Sequence, residues 1–268
     1  MIGAGVIGSG GALYVASGLL VGLLVGLTGV GGGSLMTPLL VMLFGVHPAA
    51  AVGTDLLYAA ASKSVGTAVR GLGHAIAWRI AAWLALGSLP AAAVTLFILS
   101  RFDLRGPGVA QGISIVLGIA LVLSAASLVL RQRIAAIAAR RMPTSPPGTA
   151  RLTVLTGAVL GVLVSVSSVG AGALGMTVLV VLYPREALNR LVGTDIAHAV
   201  PLTLLAGVGH WLLGDVRWHV FALLLAGAVP GICIGSLLGG RVSERVLRPL
   251  LAGVLALVGV RLVMGALA

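Results

Sequence analysis

The feature that most constrains this chain is a series of ten apolar stretches separated by short polar segments. Only 9% of its 268 residues are charged, whereas a soluble domain carries about 25%. Eight stretches are long enough to cross a bilayer as helices, and two, of about 12 residues, are shorter than the roughly 20 that a span needs. The long uniform runs argue against a β-barrel and predict an all-α polytopic membrane protein. The stretches are 12–30, 34–46, 49–69, 78–100, 109–130, 151–169, 172–183, 188–213, 218–240 and 246–267.

The second half of the chain repeats the first about 140 residues later, which indicates duplication. The sequence therefore predicts two homologous five-segment halves, at 1–130 and 151–268, joined by a basic linker at 131–150. The matched residues include Gly18, Gly22, Gly31, Thr54, Asp55, Trp78, Pro90 and Arg101, which recur as Gly157, Gly161, Gly170, Thr194, Asp195, Trp218, Pro230 and Arg241.

The arginines bear on the orientation of the two copies. If all ten stretches cross, each copy has an odd number of spans, the copies are inverted, and most arginines share a side with the linker. If 34–46 and 172–183 do not cross, the copies are parallel and the arginines divide more evenly. The positive-inside rule favours inverted copies with the linker in the cytoplasm. The expected number of spans is eight to ten. The rule also accounts for the net charge of +11, so no nucleic acid partner is expected.

Glycine motifs interrupt the apolar pattern at the same place in both halves. Bare backbone at membrane depth is tolerated where it lines a polar cavity, and the helix that follows offers N–H groups to an anion. The sequence predicts broken helices here and a substrate site; close helix packing is the alternative. The candidate substrate-binding residues of the motifs are Gly31, Gly32, Gly33, Ser34, Gly170, Ala171 and Gly172.

A Gly-Thr-Asp motif occurs early in the third apolar stretch of each half. A carboxylate inside a span is costly, so Asp55 and Asp195 should face a cavity or a partner. Because nearby carboxylates repel, one of them is a candidate proton carrier. Thr54 and Thr194 are candidate substrate ligands. The alternative is a helix-capping or interhelical polar contact.

Other polar residues share these two stretches. Lys63 is either a counter-charge for an anion or an ion-pair partner of Asp55. His198, one turn beyond Asp195, is a candidate for proton coupling or an interhelical contact. The remaining histidines lie near the ends of apolar stretches, so an interfacial position is expected for His47, His74, His210 and His219. Trp78 and Trp218 are the first residues of their apolar stretches and are also expected at the interface.

Catalytic interpretations have little support, because the chain has no nucleophile elbow, zinc-protease motif or phosphate-binding loop. An intramembrane enzyme would need Ser34 or Ser168 beside His198. A cation or metal permease would need Asp55, Asp195, His198 and His210 to converge. We expect no enzyme activity, cofactor or metal centre.

The segment Gly-Leu-Thr-Gly-Val-Gly-Gly-Gly-Ser at 26–34, followed by Pro38 and by Ala-Val-Gly-Thr at 51–54, resembles the sulfite exporter TauE/SafE family of permeases. The similarity covers nearly the whole chain. The resemblance implies a multi-pass permease of the bacterial inner membrane that moves sulfite or an organosulfonate, with a small anion and the lipid bilayer as its partners. The sequence sets no oligomeric state.

Overall fold

The structure is a computed structural model that describes residues 9–28, 33–69, 76–104, 106–141, 146–238 and 244–267. Within these ranges the chain forms ten α-helices, which confirms the all-α prediction. They are α1 (Ser9–Thr28), α2 (Gly33–Met42), α3 (Pro48–Val69), α4 (Trp78–Leu99), α5 (Pro107–Arg141), α6 (Pro146–Ser167), α7 (Ala173–Leu182), α8 (Leu188–Leu212), α9 (Trp218–Leu238) and α10 (Glu244–Leu267).

Local chemistry sets several helix ends. Pro48, Pro107 and Pro146 occupy the first position of α3, α5 and α6, where the missing N–H is not needed and the fixed φ suits a helix. After α8, Gly214 takes a φ of +81°, the left-handed conformation that commonly terminates helices.

Six helices of the described residues are long and apolar enough to cross a membrane: α4, α5, α6, α8, α9 and α10. The chain is therefore a multi-pass membrane protein. The two stretches predicted to be short are the ten-residue helices α2 and α7. Helix α3 has 22 residues but carries Asp55 and Lys63, which lower its hydropathy.

The first helix of each half packs against the fourth helix of the other half. Helix α1 packs along α9, and its counterpart α6 packs along α4. Glycines permit this approach, since a Cβ built on Gly22 would lie 2.5 Å from the Ala228 carbonyl oxygen and one on Gly161 would overlap the Ser88 carbonyl. These are the close contacts through small residues that stabilise membrane helix pairs.

Two pairs of equivalent helices, α3 with α8 and α5 with α10, run antiparallel to each other. In the α3–α8 pair, Gly53 lies against His210, whereas Leu57, further along α3, lies against Gly207, earlier on α8. In the α5–α10 pair, Gly118 meets Gly259, and Gln111, earlier on α5, binds the carbonyl of Ala266, further along α10. Antiparallel counterparts are the arrangement expected of inverted copies. The side that the linker faces stays a prediction.

The structure corrects three expectations outside the glycine motifs. The first part of the linker is not separate, because α5 continues without interruption to Arg141. Arg131, assigned to that linker, is buried at 5% exposure, and His210, expected at the interface, is also buried. His47 is half-buried, and His219 is exposed, as are Trp78 and Trp218. His74 lies outside the described residues.

Candidate functional site

The interior of the bundle contains Lys63, the only lysine in the sequence. It lies on α3, is 5% exposed, and donates a hydrogen bond of 3.1 Å from Nζ to the carbonyl oxygen of Ala171. Ala171 belongs to the other repeat, in the break between α6 and α7. The carboxyls of Asp55 and Asp195 both act electrostatically on this ammonium group. Lys63 therefore connects the two halves at the level of the predicted site.

The break in the second copy spans residues 168–172. Gly170 and Gly172 have φ values of +129° and +143°, which glycine tolerates and other residues rarely adopt. Ser168 has a φ of +59°, and no other non-glycine residue in the described part of the chain has a positive φ. Helix α7 then begins at Ala173, with its first N–H groups directed back toward the break. The predicted helix interruption is present in this copy.

Asp55 is fully buried on α3 and is held by α2. Its Oδ2 accepts hydrogen bonds from the backbone N–H of Thr37, at 3.1 Å, and from the Thr37 hydroxyl. The Ser168 hydroxyl lies close to the same carboxyl without meeting hydrogen-bond geometry, and Oδ1 has no hydrogen-bond partner among the residues that the structure describes. Asp55 thus faces α2 of its own half and the break of the other half. Sequence reasoning missed Thr37, although it lies in the short stretch after the first glycine motif.

Asp195 is 3% exposed on α8. Its Oδ1 faces α7, where a Cβ on Gly175 would lie 2.6 Å away. Lys63 and Arg131 both act electrostatically on this carboxyl. Ser127, one turn before Arg131 on α5, donates to the carbonyl of Ala173 at 2.9 Å, so this face of α5 packs against the start of α7.

Asp55, Lys63, Arg131 and Asp195 therefore form a central cluster of buried charged side chains. Sequence reasoning placed Arg131 in the linker. The available signal was its position directly after the apolar stretch 109–130, one helical turn beyond Ser127. A boundary drawn by hydropathy alone cannot distinguish a buried arginine at the end of an apolar stretch from an exposed one.

The buried histidines have separate partners. His198 Nε2 lies 2.7 Å from the Ser88 hydroxyl on α4. His210 Nε2 lies 2.9 Å from the Ser165 carbonyl, and its Nδ1 is 3.9 Å from Asp215. Across the described ranges, no three His, Cys, Asp or Glu side chains come together as metal ligands would. His198 bonds to Ser88 rather than to Ser168, one of the two serines that the intramembrane enzyme hypothesis places beside it. The side chain of the other serine, Ser34, lies outside the described part.

The threonines of the two Gly-Thr-Asp motifs occupy equivalent structural positions. Thr54 Oγ1 accepts from the N–H of Arg217 at 3.0 Å, and Thr194 Oγ1 accepts from the N–H of Ala77 at 2.9 Å. Each hydroxyl also donates to the carbonyl four residues earlier in its own helix. Each threonine thus fixes the start of the fourth helix of the opposite half, α9 or α4. An anion could use these hydroxyl protons only by breaking the helix bonds.

The first glycine motif is only partly described. Gly31 and Gly32 lie outside the described residues. Gly33 begins α2, and the backbone of Ser34 continues that helix, whereas the Ser34 side chain is outside the described part. The substrate-binding role of these four residues stays a prediction.

Buried charged side chains from α3, α5 and α8 lie around a helix break, among the ten helices of the described residues. Ionisable groups at such depth mark transport pathways, and broken helices around a central site are a recurring transporter plan. The class is that of a polytopic membrane transporter built from two related halves.

The chain belongs to the sulfite exporter TauE/SafE family, whose model matches residues 14–262. It is similar to a probable membrane transporter protein, YjnA, of Bacillus subtilis (strain 168), with 38% identity over 251 residues that cover 93% of this chain and 98% of the relative. No solved structure matches the chain.

Proposed function

We propose that this protein is a secondary transporter for a small sulfur-containing oxyanion, such as sulfite or an organosulfonate. The anion would bind at the centre of the bundle, beside the break that precedes α7. Asp55 and Asp195 would be the proton-binding groups that couple its movement to a proton gradient. We place the protein in the bacterial inner membrane, where the positive-inside rule puts its linker in the cytoplasm.

The position of Lys63 is the observation that carries this proposal. A buried ammonium needs compensation, and here that comes from two carboxyls and from the Ala171 carbonyl. An anion entering beside Lys63 could take over the role of one carboxyl once that carboxyl becomes protonated. The same lysine touches both repeats, so its contacts would change if the halves moved relative to each other.

The choice of a sulfur oxyanion rests on the family and on the donors present. The family takes its description from sulfite export. Sulfite and sulfonate groups present several oxygens that accept hydrogen bonds, which suits the amide groups at the start of α7 and the ammonium of Lys63.

A thermal-shift screen of the purified protein against sulfite, sulfate, thiosulfate, methanesulfonate and divalent metal ions tests the proposal. An anion at a hundredfold excess over its Kd should stabilise the protein by about 2.7 kcal/mol. Lys63→Gln should remove the stabilisation, whereas Lys63→Arg, which keeps the charge, should retain part of it. Stabilisation by metal ions alone would favour the cation permease instead, and equal anion stabilisation of Lys63→Gln would refute the role of Lys63.

A further inference from the structure

The central cluster contains two formally positive and two formally negative side chains. These side chains lie around the break between α6 and α7. Lys63 donates to the carbonyl of Ala171 in the break, and Asp195 Oδ1 faces Gly175 in the first turn of α7. Ser127, one turn before Arg131 on α5, donates to the carbonyl of Ala173 at the start of α7. The electrostatic interactions of Asp195 with both cations, and of Asp55 with Lys63, agree with this placement. All four side chains are at most 5% exposed. With every group ionised, the formal charge of the empty cluster is zero.

The neighbouring titratable groups leave this balance unchanged when they are neutral. Tyr58 on α3 faces Asp55, and His198 on α8 faces Lys63 and bonds to Ser88. His210 and Asp215 form their own pair at the far end of α8, and opposite charges there would cancel.

An anion that entered alone would give the cluster a net negative charge. Because an uncompensated buried charge is strongly disfavoured, the loaded site needs one proton for each negative charge on the anion. Exchange of anion against proton works less well, since the proton-loaded empty site would be positive and the anion-loaded site negative. Movement of anion and protons together keeps both states neutral.

We propose that Lys63 and Arg131 are the paired cationic groups of an electroneutral proton–anion symport site, in which Asp55 and Asp195 each take up one proton. The site would then move a monoanion with one proton or a dianion with two. This inference rests on the proposed function, and it adds the stoichiometry, the electrical behaviour and the role of Arg131.

Uptake by proteoliposomes, measured with methanesulfonate and with sulfite, tests the charge balance on the unmodified protein. A carrier that moved one net charge would change its accumulation ratio about 50-fold per 100 mV of membrane potential. We expect accumulation to follow an imposed pH gradient and to stay unchanged when potassium and valinomycin impose a potential. A change in the accumulation ratio of about 50-fold per 100 mV of imposed potential would overturn the electroneutral mechanism. It would leave the proposed function as an anion carrier in place. Absence of uptake for both anions under every gradient would instead refute the proposed function.

Charge-changing variants test Arg131. Arg131→Gln leaves the resting cluster negative and should lower methanesulfonate uptake about tenfold or more. Adding Asp195→Asn restores neutrality with Lys63 and Asp55 alone, so the double variant should recover methanesulfonate uptake. Arg133→Gln, on the same helix at an exposed position, is the matched control and should behave as the parent protein.

If Arg131→Gln lowers methanesulfonate uptake no more than Arg133→Gln does, the role of Arg131 is refuted. The role is also refuted if the double variant elutes as a folded monodisperse protein but does not recover methanesulfonate uptake. The potential measurement on the unmodified protein does not depend on either variant folding.

Discussion

Replacement of Thr194 or Thr54 by valine distinguishes a structural role for the Gly-Thr-Asp motifs from a role in binding. Valine keeps the shape of threonine and removes the hydroxyl. Thr194→Val would leave the N–H of Ala77 without its acceptor just before α4, and Thr54→Val would do the same to the N–H of Arg217 just before α9. Each change therefore breaks one contact between the two halves.

The expected magnitudes differ because the two contacts differ in burial. An N–H left unsatisfied in a buried site costs about 1–3 kcal/mol. Ala77 is buried, so Thr194→Val belongs near the upper part of that range, whereas Arg217 is exposed and its N–H can reach water or headgroups. We expect a loss of about 2 kcal/mol for Thr194→Val and about 1 kcal/mol for Thr54→Val.

Thermal unfolding in detergent measures the loss, at about 2–4 °C for each kcal/mol in proteins slightly smaller than this one. Thr156→Val is the matched control, because the Thr156 hydroxyl bonds only to the carbonyl of Leu152 in its own helix. Anion-induced stabilisation should be the same in Thr194→Val, Thr54→Val and the parent protein. An unchanged unfolding temperature together with weakened anion binding would refute the capping role and return these hydroxyls to the substrate site.

Three glycine substitutions distinguish helix packing from the central site. Gly87→Ala should destabilise the protein by about 1–3 kcal/mol or prevent folding, because its Cβ would overlap the Val154 carbonyl, whereas Gly112→Ala, with no atom within 4 Å, should leave the unfolding temperature unchanged or slightly raised. Gly175→Ala should weaken anion binding with a stability change of about 1 kcal/mol, since its Cβ would press on the ends of two side chains, Asp195 Oδ1 at 2.6 Å and Leu160 Cδ1 at 3.3 Å. Equal stability of the first two variants, or unchanged binding in the third, would contradict these assignments.

The sequence predicted the scaffold well, because hydropathy and self-similarity report on it directly. Each of the ten apolar stretches corresponds to a helix, including the short α2 and α7. The break at Gly170 and Gly172 was also predictable, since clustered glycines at membrane depth have few other uses. The extension of α5 to Arg141 was missed because charged residues end a hydropathy run without ending a helix.

The composition of the central cluster was only partly predictable. Asp55, Asp195 and Lys63 stand out in sequence because charge is rare inside apolar stretches. Thr37 and Arg131 depend on which helices meet in space, and no spacing in the sequence reveals that α2 supports Asp55 or that α5 reaches Asp195. The threonines show the converse, since the structure bonds each hydroxyl to the start of a helix in the other half, whereas the predicted role of Thr54 and Thr194 as substrate ligands stays a prediction.

The duplicated scaffold is symmetric, whereas the chemistry at its centre is not. The counterpart of Lys63 at the repeat spacing is Thr203, which bonds to the Ala199 carbonyl of its own helix. A second lysine there would add a positive charge with no third carboxylate to balance it. Because Lys63 lies where the two copies meet, one ammonium can serve both Asp55 and Asp195. A lysine at the contact between the two copies therefore needs no counterpart in the second copy, since one ammonium group interacts with both carboxyls.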